Sequence, residues 1–366
     1  MSAPIEVPRW VDLALVPALA VVAAFLVAGL VVLAIGENPL SATLILLRGA
    51  LGSGEGLGFT LYYATNFIFT GLAVAVAFHA GLFNIGGEGQ ATLGGLGAAL
   101  VCLRLDFLPA WALVPLGALS AAAFGAAWAF IPAWLQARRG SHIVITTIMF
   151  NMLASALLVY LLVNVMGKPG SMSVETRVFA PAAHVPFVHE LAAQFGVPIP
   201  ASPLNLSFVL ALAMAALMWV VLWRTRLGYA IRTVGASPTA AAYAGISNTR
   251  VIVVAMLISG GLAGLVAVNE IMGVQERLLL EFTSGAGFIG IAVALMGRSH
   301  PFGIVLASIL FGVLYQGGTE LAFDMPSITR DMVVTISGLV ILFAGALDGL
   351  FRRPLAAAFA GRGKGA

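Results

Sequence analysis

An octapeptide rich in polar groups, FNIGGEGQ, runs from Phe83 to Gln90. It holds a carboxylate, Glu88, between two amides, Asn84 and Gln90, with three glycines among them. Glycine lets the backbone leave helical geometry, and a carboxylate near a helix start is stabilised by the helix dipole. These groups can therefore serve a polar solute pathway, or they can simply begin a helix after a turn. Both interpretations stay open at this point.

Other polar side chains lie inside long apolar segments, where they are costly unless they face a bundle interior or a water-filled path. Such residues also act as hydrogen-bonding glue between helices. With the octapeptide they form the set of candidate pathway residues: Asn66, Phe83, Asn84, Glu88, Gln90, Thr146, Thr147, Asn151, Asn269 and Glu270. Tyr62, Tyr63 and Phe83 can stack on a planar ligand, although interfacial aromatic belts explain such tyrosines as well.

The sequence offers no constellation for catalysis or for metal binding. Cys102 is the single cysteine, which excludes an intramolecular disulfide and a cysteine metal cluster. His184 and His189 have no matching carboxylate pair in the sequence. GSGEGLG, residues 52–58, lacks the Lys-Ser or Lys-Thr of a phosphate-binding loop and is predicted to be flexible. We expect no metal, no cofactor and no enzymatic activity in this chain, so any ATP must bind to a partner.

The composition shows that these residues belong to a membrane protein. The chain has 366 residues, of which 61% are hydrophobic and 9% charged, whereas soluble domains carry about 25% charged residues. Runs of about 20 apolar residues recur, which is the signature of transmembrane helices. The sequence therefore predicts an all-α polytopic membrane protein, with one transmembrane domain over residues 1–366. The ten predicted spans are 11–35, 60–79, 88–104, 111–135, 143–166, 206–223, 250–272, 286–297, 302–318 and 329–350.

The first span and the eighth and ninth spans need separate comment. The N-terminus has no evident small-residue cleavage site, so we expect the first helix to be retained. The segments 286–297 and 302–318 are short, and they are either two tilted spans or one broken helix.

Lysine and arginine set the predicted orientation. With ten spans, one side carries the larger set of arginines, and the positive-inside rule places that side, with both termini, in the cytoplasm. This set is Arg138, Arg139, Arg224, Arg226, Arg232, Arg250, Arg298, Arg352 and Arg353. The opposite connections hold Arg48, Arg104, Lys168, Arg177 and Arg277. Because the net charge of +3 is small and belongs to these short loops, we expect the lipid bilayer as a partner and no nucleic acid.

Two connections are long. Residues 167–205 are rich in proline and are predicted to lie outside, and residues 224–249 are predicted to lie in the cytoplasm. In the second, Ser237 is a predicted N-cap and Pro238 the first helical residue, while Gly245 can end the helix. A short capped helix in a cytoplasmic loop suits docking onto a partner, although a plain helical linker is the alternative.

Four segments together resemble a known family. They are GLFNIGGEGQ (81–90), RTRLGYAIRTVGASPTAAAYAGIS (224–247), LISGGLAGLVAVNEIMG (257–273) and GFIGIAVALMGRSHPFG (287–303). In order and spacing, over about residues 10–350, they are similar to permease subunits of bacterial ABC importers. The branch is that of the branched-chain amino acid and ribose permeases, and the form of FNIGGEGQ resembles the nucleoside and simple-sugar subgroup.

This resemblance implies a ten-helix bundle like that of type II ABC importers, in the bacterial inner membrane. It implies a second permease subunit, commonly a different chain, two ATP-binding subunits, and a periplasmic or lipid-anchored solute-binding protein. It also implies a coupling helix that docks on the ATPase, formed by Gly235, Ala236, Ser237, Pro238, Thr239, Ala240, Ala241, Ala242, Tyr243, Ala244 and Gly245.

The expected function is alternating-access import of nucleosides. One alternative is import of a simple sugar such as ribose or galactose by the same machinery. Another is an ion-coupled secondary transporter, in which Glu88 would bind the coupling ion. An intramembrane enzyme is disfavoured, because it needs a catalytic pair that the sequence does not show.

Overall fold

The computed structural model describes residues 15–167, 170, 173–329, 332–336, 338 and 339. This part of the chain is nearly all helical. Its first helices are α1 Val16–Ala34, α2 Pro39–Leu51, α3 Gly54–His79, α4 Gly87–Arg104, α5 Ala110–Arg139, α6 Ile143–Leu161 and α7 Val188–Gln194. The others are α8 Ser207–Arg224, α9 Arg226–Ala236, α10 Pro238–Tyr243, α11 Asn248–Gly264, α12 Ala286–Met296 and α13 Pro301–Asp324. Two π-helical turns, Leu162–Met166 and Val268–Met272, follow α6 and α11.

Six helical segments of the described residues are long and apolar enough to cross a membrane. They are Gly54–His79, Ala110–Arg139, Ile143–Met166, Ser207–Arg224, Asn248–Glu270 and Pro301–Asp324. Residues Val22–Ala34 and Pro39–Leu51 form a pair bent by 119°, which makes a seventh if the pair is one span. A multi-pass membrane protein is thus confirmed. The predicted tenth span, 329–350, lies mostly outside the described residues, although 332–336 are helical.

Helix α2 is absent from the predicted spans. Its start carries a clear signal, because the Asn38 side chain accepts hydrogen bonds from the backbone nitrogens of Leu40 at 2.9 Å and Ser41 at 3.4 Å, and Pro39 is the first helical residue. Arg48 therefore lies within a helix and not in a connection. The flexible loop predicted at 52–58 is also wrong in part, since α3 already begins at Gly54.

The chain divides into two compact units, residues 1–56 with 313–366, and residues 57–312. The second unit contains every candidate pathway and coupling residue. Its interior helix is α4, in which thirteen of eighteen residues are buried, as expected for a helix enclosed by others. The helices α5, α6, α11 and α12 pack around it. In α5 and α6 only 22% of the most apolar stretch is buried, so these two helices have broad outward faces.

Small residues set the distance between the central helices. A Cβ on Gly94 of α4 would lie 2.4 Å from the Cα of Gly264 in α11, and one on Gly264 would lie 2.3 Å from the carbonyl oxygen of Ala121 in α5. A Cβ on Gly260 would lie 2.4 Å from the carbonyl oxygen of Gly125. Glycine and alanine thus let these helices approach closely, as small residues do in membrane helix bundles.

Helices α12 and α13 correspond to the predicted segments 286–297 and 302–318. They are separate helices, joined at Gly297–His300, where Arg298 and Ser299 both have φ of 52°. The long connection after α6 folds back on the segment after the second π-helical turn. Thr176 donates its backbone hydrogen to Leu278 O at 2.9 Å, and Val185 donates to Met272 O at 3.0 Å.

Candidate functional site

The octapeptide forms the junction between α3 and α4. The chain turns at Gly81, whose φ is +73°, and α4 starts at Gly87. A Cβ on Gly235 of α9 would lie 2.2 Å from the carbonyl oxygen of His79, the last residue of α3. The backbone of the predicted coupling segment is therefore in direct contact with the end of α3. Phe83 stacks on Phe78, with ring centroids 5.2 Å apart, and is 37% exposed.

Four buried side chains of the junction, Asn84, Gln90, Asn151 and Ser259, form what we call the amide cluster. Asn84 Nδ2 donates to Gln90 Oε1 at 3.0 Å and to Ser259 Oγ at 2.8 Å. Asn151 of α6 accepts from Gly89 N at 2.9 Å and donates to Ile85 O at 2.9 Å. Each amide satisfies backbone or side-chain partners in the protein itself. The cluster thus ties three helices to an irregular turn.

Glu88 holds the start of a neighbouring helix. Its carboxylate accepts hydrogen bonds from Gly285 N at 3.1 Å and Gly287 N at 2.8 Å, and also from the Thr283 hydroxyl. Both amides belong to the first turn of α12, whose free N–H groups and dipole favour a negative charge. The helix-start interpretation of Glu88 explains these contacts, although the helix that it caps is α12, and it only lies in the first turn of its own helix, α4.

Thr146 and Thr147 bond within their own helix. The Thr147 hydroxyl donates to Ile143 O at 2.8 Å, and the Thr146 hydroxyl is 3.0 Å from the same carbonyl. Threonines in membrane helices commonly bond in this way to the preceding turn. Their hydrogen bonds therefore provide no separate sign of a pathway.

A second group of buried polar side chains lies around Glu270, and we call it the carboxylate cluster. Its centre is Glu270, which is 6% exposed and lies on the second π-helical turn. The Tyr62 hydroxyl lies 2.7 and 2.8 Å from the two Glu270 oxygens, and Asn66 Nδ2 donates to one of them. The members are Tyr62, Asn66, Asn205, Ser207, Asn269 and Glu270.

The other half of the carboxylate cluster is built around Asn269. Its Nδ2 donates to Asn66 Oδ1 at 2.9 Å, and its Oδ1 accepts from Asn205 Nδ2 at 3.0 Å and from Ser207 Oγ at 2.8 Å. Residues of α3, of the π-helical turn and of the start of α8 thus converge. Asn66, Asn269 and Glu270 are predicted candidates, whereas Asn205 and Ser207 are not among the residues that the sequence singles out. Their signal is a pair of polar residues just before an apolar helix.

A cavity of about 270 Å³ lies beside this turn, under the long connection after α6. Met272, the last residue of the turn, lines it together with Phe179 and Phe187. His184 also lines it, with Nδ1 3.2 Å from Glu276 and Nε2 3.7 Å from Glu190. The prediction that His184 lacks carboxylate partners is wrong, because Glu190 lies six positions along the same connection and folding brings Glu276 from a distant part of the chain. Among the described residues there is no group of three or more His, Cys, Asp or Glu side chains able to hold a metal ion.

The predicted coupling segment has the expected local structure. Ser237 Oγ accepts from Ala240 N at 3.2 Å, Pro238 begins α10, and Gly245 follows it with φ of +78°. Asn248 Nδ2 donates to Pro238 O at 3.0 Å and holds the short helix against the start of α11.

The two faces of α10 differ in exposure. Ala241 is fully buried, whereas Tyr243 is 91% exposed. The helix is therefore anchored by one alanine and presents an aromatic side chain outward. A large aromatic residue on a small anchored helix is a suitable contact for a protein partner.

Comparison with known proteins gives the family. Residues 56–345 match the family described as "Branched-chain amino acid transport system / permease component". The chain is 37% identical to the glucose ABC transporter permease protein TsgB13 of Haloferax volcanii, an alignment that covers 98% of this chain and 94% of the relative. It is 36% identical to the guanosine ABC transporter permease protein NupP of Bacillus subtilis, over 90% and 92% of the two chains.

A third relative is the nucleoside ABC transporter permease protein NupB of Lactococcus lactis. The identity is 34%, over 90% of each chain. No solved structure is significantly similar to this chain.

Proposed function

This chain belongs to the family of branched-chain amino acid transport system permease components, and we propose that it is the permease subunit of an ABC importer that carries nucleosides. The chain forms the translocation path by alternating access, and a separate ATP-binding subunit hydrolyses ATP. The observation that carries the proposal is α10, a capped helix with the exposed Tyr243, in a loop whose Gly235 touches the end of α3. The same α3 reaches the carboxylate cluster through Tyr62 and Asn66.

Two relatives with nucleoside or guanosine in their names support the choice of solute. A relative named for glucose supports simple sugars as the second candidate. Glucose and guanosine share a chemical feature, since both carry hydroxyl groups on neighbouring carbons. An ion-coupled secondary transporter has no comparable support, because all three relatives are named as ABC transporter permeases.

The proposed membrane arrangement has ten spans, with both termini in the cytoplasm of a bacterium and the chain in its inner membrane. Residues 167–205 lie outside and 224–249 lie inside, in agreement with the distribution of arginines. The whole chain, residues 1–366, works as one transport domain. Helix α4 is interior although it is not among the six segments that are long and apolar enough to cross a membrane, and this position supports a count larger than six.

Coupling begins where the ATPase subunit docks on residues 235–245. When ATP closes the ATPase dimer, α10 moves and carries α9 with it. Because a Cβ on Gly235 would overlap the His79 carbonyl, the two backbones touch with no side chain between them. A displacement of α9 therefore reaches α3 directly.

The solute path runs past the carboxylate cluster rather than the amide cluster. In the amide cluster, Asn84 and Asn151 bond to the backbone of the junction. In the carboxylate cluster, Asn269 and Glu270 lie on a π-helical turn whose last residue, Met272, lines a cavity. Irregular backbone in a membrane protein is tolerated where protein or a cavity covers it. The partners are a second permease chain, ATP-binding subunits and a solute-binding protein, and nucleic acid is not among them.

The test is ATP-dependent uptake by proteoliposomes that contain the complete transporter and its binding protein. Labelled guanosine and uridine are compared with labelled ribose, galactose and glucose. We expect nucleoside uptake that stops without ATP, and no ATP hydrolysis by the purified chain alone. Uptake of sugars without uptake of nucleosides would show that the solute is a sugar. Uptake that does not depend on ATP would reject the ABC mechanism.

A further inference from the structure

The Glu270 carboxylate is buried without a cation. It is 6% exposed, and none of the ion pairs among the described residues includes it. A carboxylate inside a membrane helix bundle is expensive, and such residues are functional candidates by default. Glutamine at this position would also accept from Tyr62 and would avoid the charge. Hydrogen bonding between helices is therefore an incomplete explanation of this residue.

The hydrogen bonds of Glu270 leave part of its capacity unused. An ionised carboxylate has about four acceptor positions. In the structure Tyr62 supplies one hydroxyl hydrogen, which lies between the two oxygens, and Asn66 supplies one amide hydrogen. About two acceptor positions remain, and a hydroxylated solute carries donors that fit them.

The backbone around Glu270 is irregular, and a neighbouring residue on the same turn lines a cavity. The α-helical part of its span ends at Gly264, and Glu270 lies on the π-helical turn Val268–Met272. Such turns are frequent at functional sites. Met272, on the same turn, lines the cavity of about 270 Å³. Glu270 and Met272 are thus two positions apart on one turn, and Met272, not Glu270, lines the cavity.

We propose that Glu270 binds two neighbouring hydroxyl groups of the carried solute, which in a nucleoside are the 2′ and 3′ hydroxyls of the ribose. The two carboxylate oxygens accept one hydrogen bond from each hydroxyl, as carboxylates do with ribose in dinucleotide sites. Asn66 and Tyr62 are positioning residues that fix the carboxylate. The inference rests on the proposed function and deepens it.

The chemistry of the cluster agrees with a neutral polyol. The other members, Asn205, Ser207 and Asn269, supply amide and hydroxyl groups that can both donate and accept. A phosphorylated solute would bring a second negative charge to the buried carboxylate, which is unfavourable in a low-dielectric interior. The site therefore suits dephosphorylated solutes.

The test compares two solutes in one reconstituted transporter. Uptake of guanosine and of 2′,3′-dideoxyguanosine is measured with saturating loaded binding protein, for the wild type and for Glu270→Gln. The ratio of the two rates is compared between the proteins, so that any preference of the binding protein cancels. We expect Glu270→Gln to reduce the guanosine advantage by about tenfold or more, since hydrogen bonds to a charged group are lost.

The matched control is Glu88→Gln, the same substitution at the carboxylate that caps α12. It should lower both rates by the same factor and leave the ratio unchanged. Glu270→Asp keeps the carboxylate but shortens the side chain by one carbon. It replaces Glu270→Gln in the test if that variant does not fold. We expect it also to reduce the ratio of guanosine uptake to dideoxyguanosine uptake. Equal losses for both solutes in the Glu270 variants would overturn the inference and leave Glu270 as a structural residue.

Failure of the proposed solute has a different signature. If the wild type takes up glucose but neither nucleoside, the nucleoside assignment is wrong. The same ratio is then measured with glucose and 2-deoxyglucose, which lacks one of the neighbouring hydroxyls. A ratio unchanged by Glu270→Gln in that pair would again overturn the inference.

Discussion

The Glu88 carboxylate and the Gly287 backbone amide are 2.8 Å apart, although 199 positions separate the two residues in the chain. The backbones of the two residues also approach closely, because a Cβ on Gly287 would lie 2.2 Å from Glu88 N. The N-termini of α4 and α12 therefore meet, and one carboxylate lies near the partial positive charge of both. This relationship gives Glu88 a structural role that is distinct from that of Glu270.

Replacement of Glu88 by glutamine tests that role. We expect Glu88→Gln to lower the free energy of unfolding by about 1–2 kcal/mol, because the cap of α12 loses its charge and one acceptor oxygen. Thermal unfolding in detergent measures the change. Glu281→Gln, at an exposed carboxylate near the same helix start, is the control and should unfold like the wild type. If Glu88→Gln instead melts like the wild type but has an altered solute preference, Glu88 is a pathway residue and not a structural cap.

The glycine contacts between α5 and α11 predict that alanine substitutions at Gly264 and Gly261 differ sharply in their effect on stability. Gly264→Ala places a Cβ 2.3 Å from the Ala121 carbonyl oxygen, so the helices must separate, and we expect a loss of about 1–3 kcal/mol in stability. Gly261→Ala meets nothing closer than 3.4 Å. It should be neutral or slightly stabilising, since alanine favours helix. Similar melting temperatures for the two variants would contradict this packing.

The exposed face of α10 predicts a coupling defect without a folding defect. Ala242 is exposed, so we expect Ala242→Glu to reach the membrane in normal amount but to lose ATP-dependent uptake and co-purification with the ATPase subunit. Ala193→Glu, on the exposed helix α7, is the matched control and should transport normally. Ala241→Glu is unsuitable, because Ala241 is fully buried and its loss of function would reflect misfolding. Normal uptake by Ala242→Glu would reject the coupling role.

The proposed topology is tested by single cysteines. Cys102 is the single native cysteine and is buried, so Cys102→Ala provides the background. A membrane-impermeant maleimide should label Ala193→Cys in intact cells, and Tyr243→Cys only after the membrane is opened. Labelling of both positions from the same side would contradict the proposed orientation.

Several features are predictable because they depend on neighbours in the chain. The cap at Ser237, the start at Pro238 and the turn at Gly245 need only local backbone preferences, and the structure has all three. The start of α2 carries the same kind of signal at Asn38 and Pro39, but the segment is too short for a membrane span and hydropathy alone does not reveal it.

Other features depend on distant residues and are not predictable in this way. The sequence shows that Asn66 and Glu270 are polar residues in apolar helices, but not that their side chains meet. Asn205, from a loop, joins the same cluster only because α8 begins beside the π-helical turn. The sequence also does not show which donors the carboxylates of Glu88 and Glu270 find in the folded chain.

The amino-acid sequence by itself determined that this is a multi-pass helical membrane protein of a permease family, because hydropathy and local motifs are properties of short segments. Only the tertiary structure decided which hydrogen-bond partners each buried polar residue finds. Glu88 finds amides of α12 and is used as a cap, whereas Glu270 finds two neutral donors and no cation among the described residues. The physical reason is that hydrogen-bond satisfaction depends on three-dimensional neighbours, which helix packing supplies.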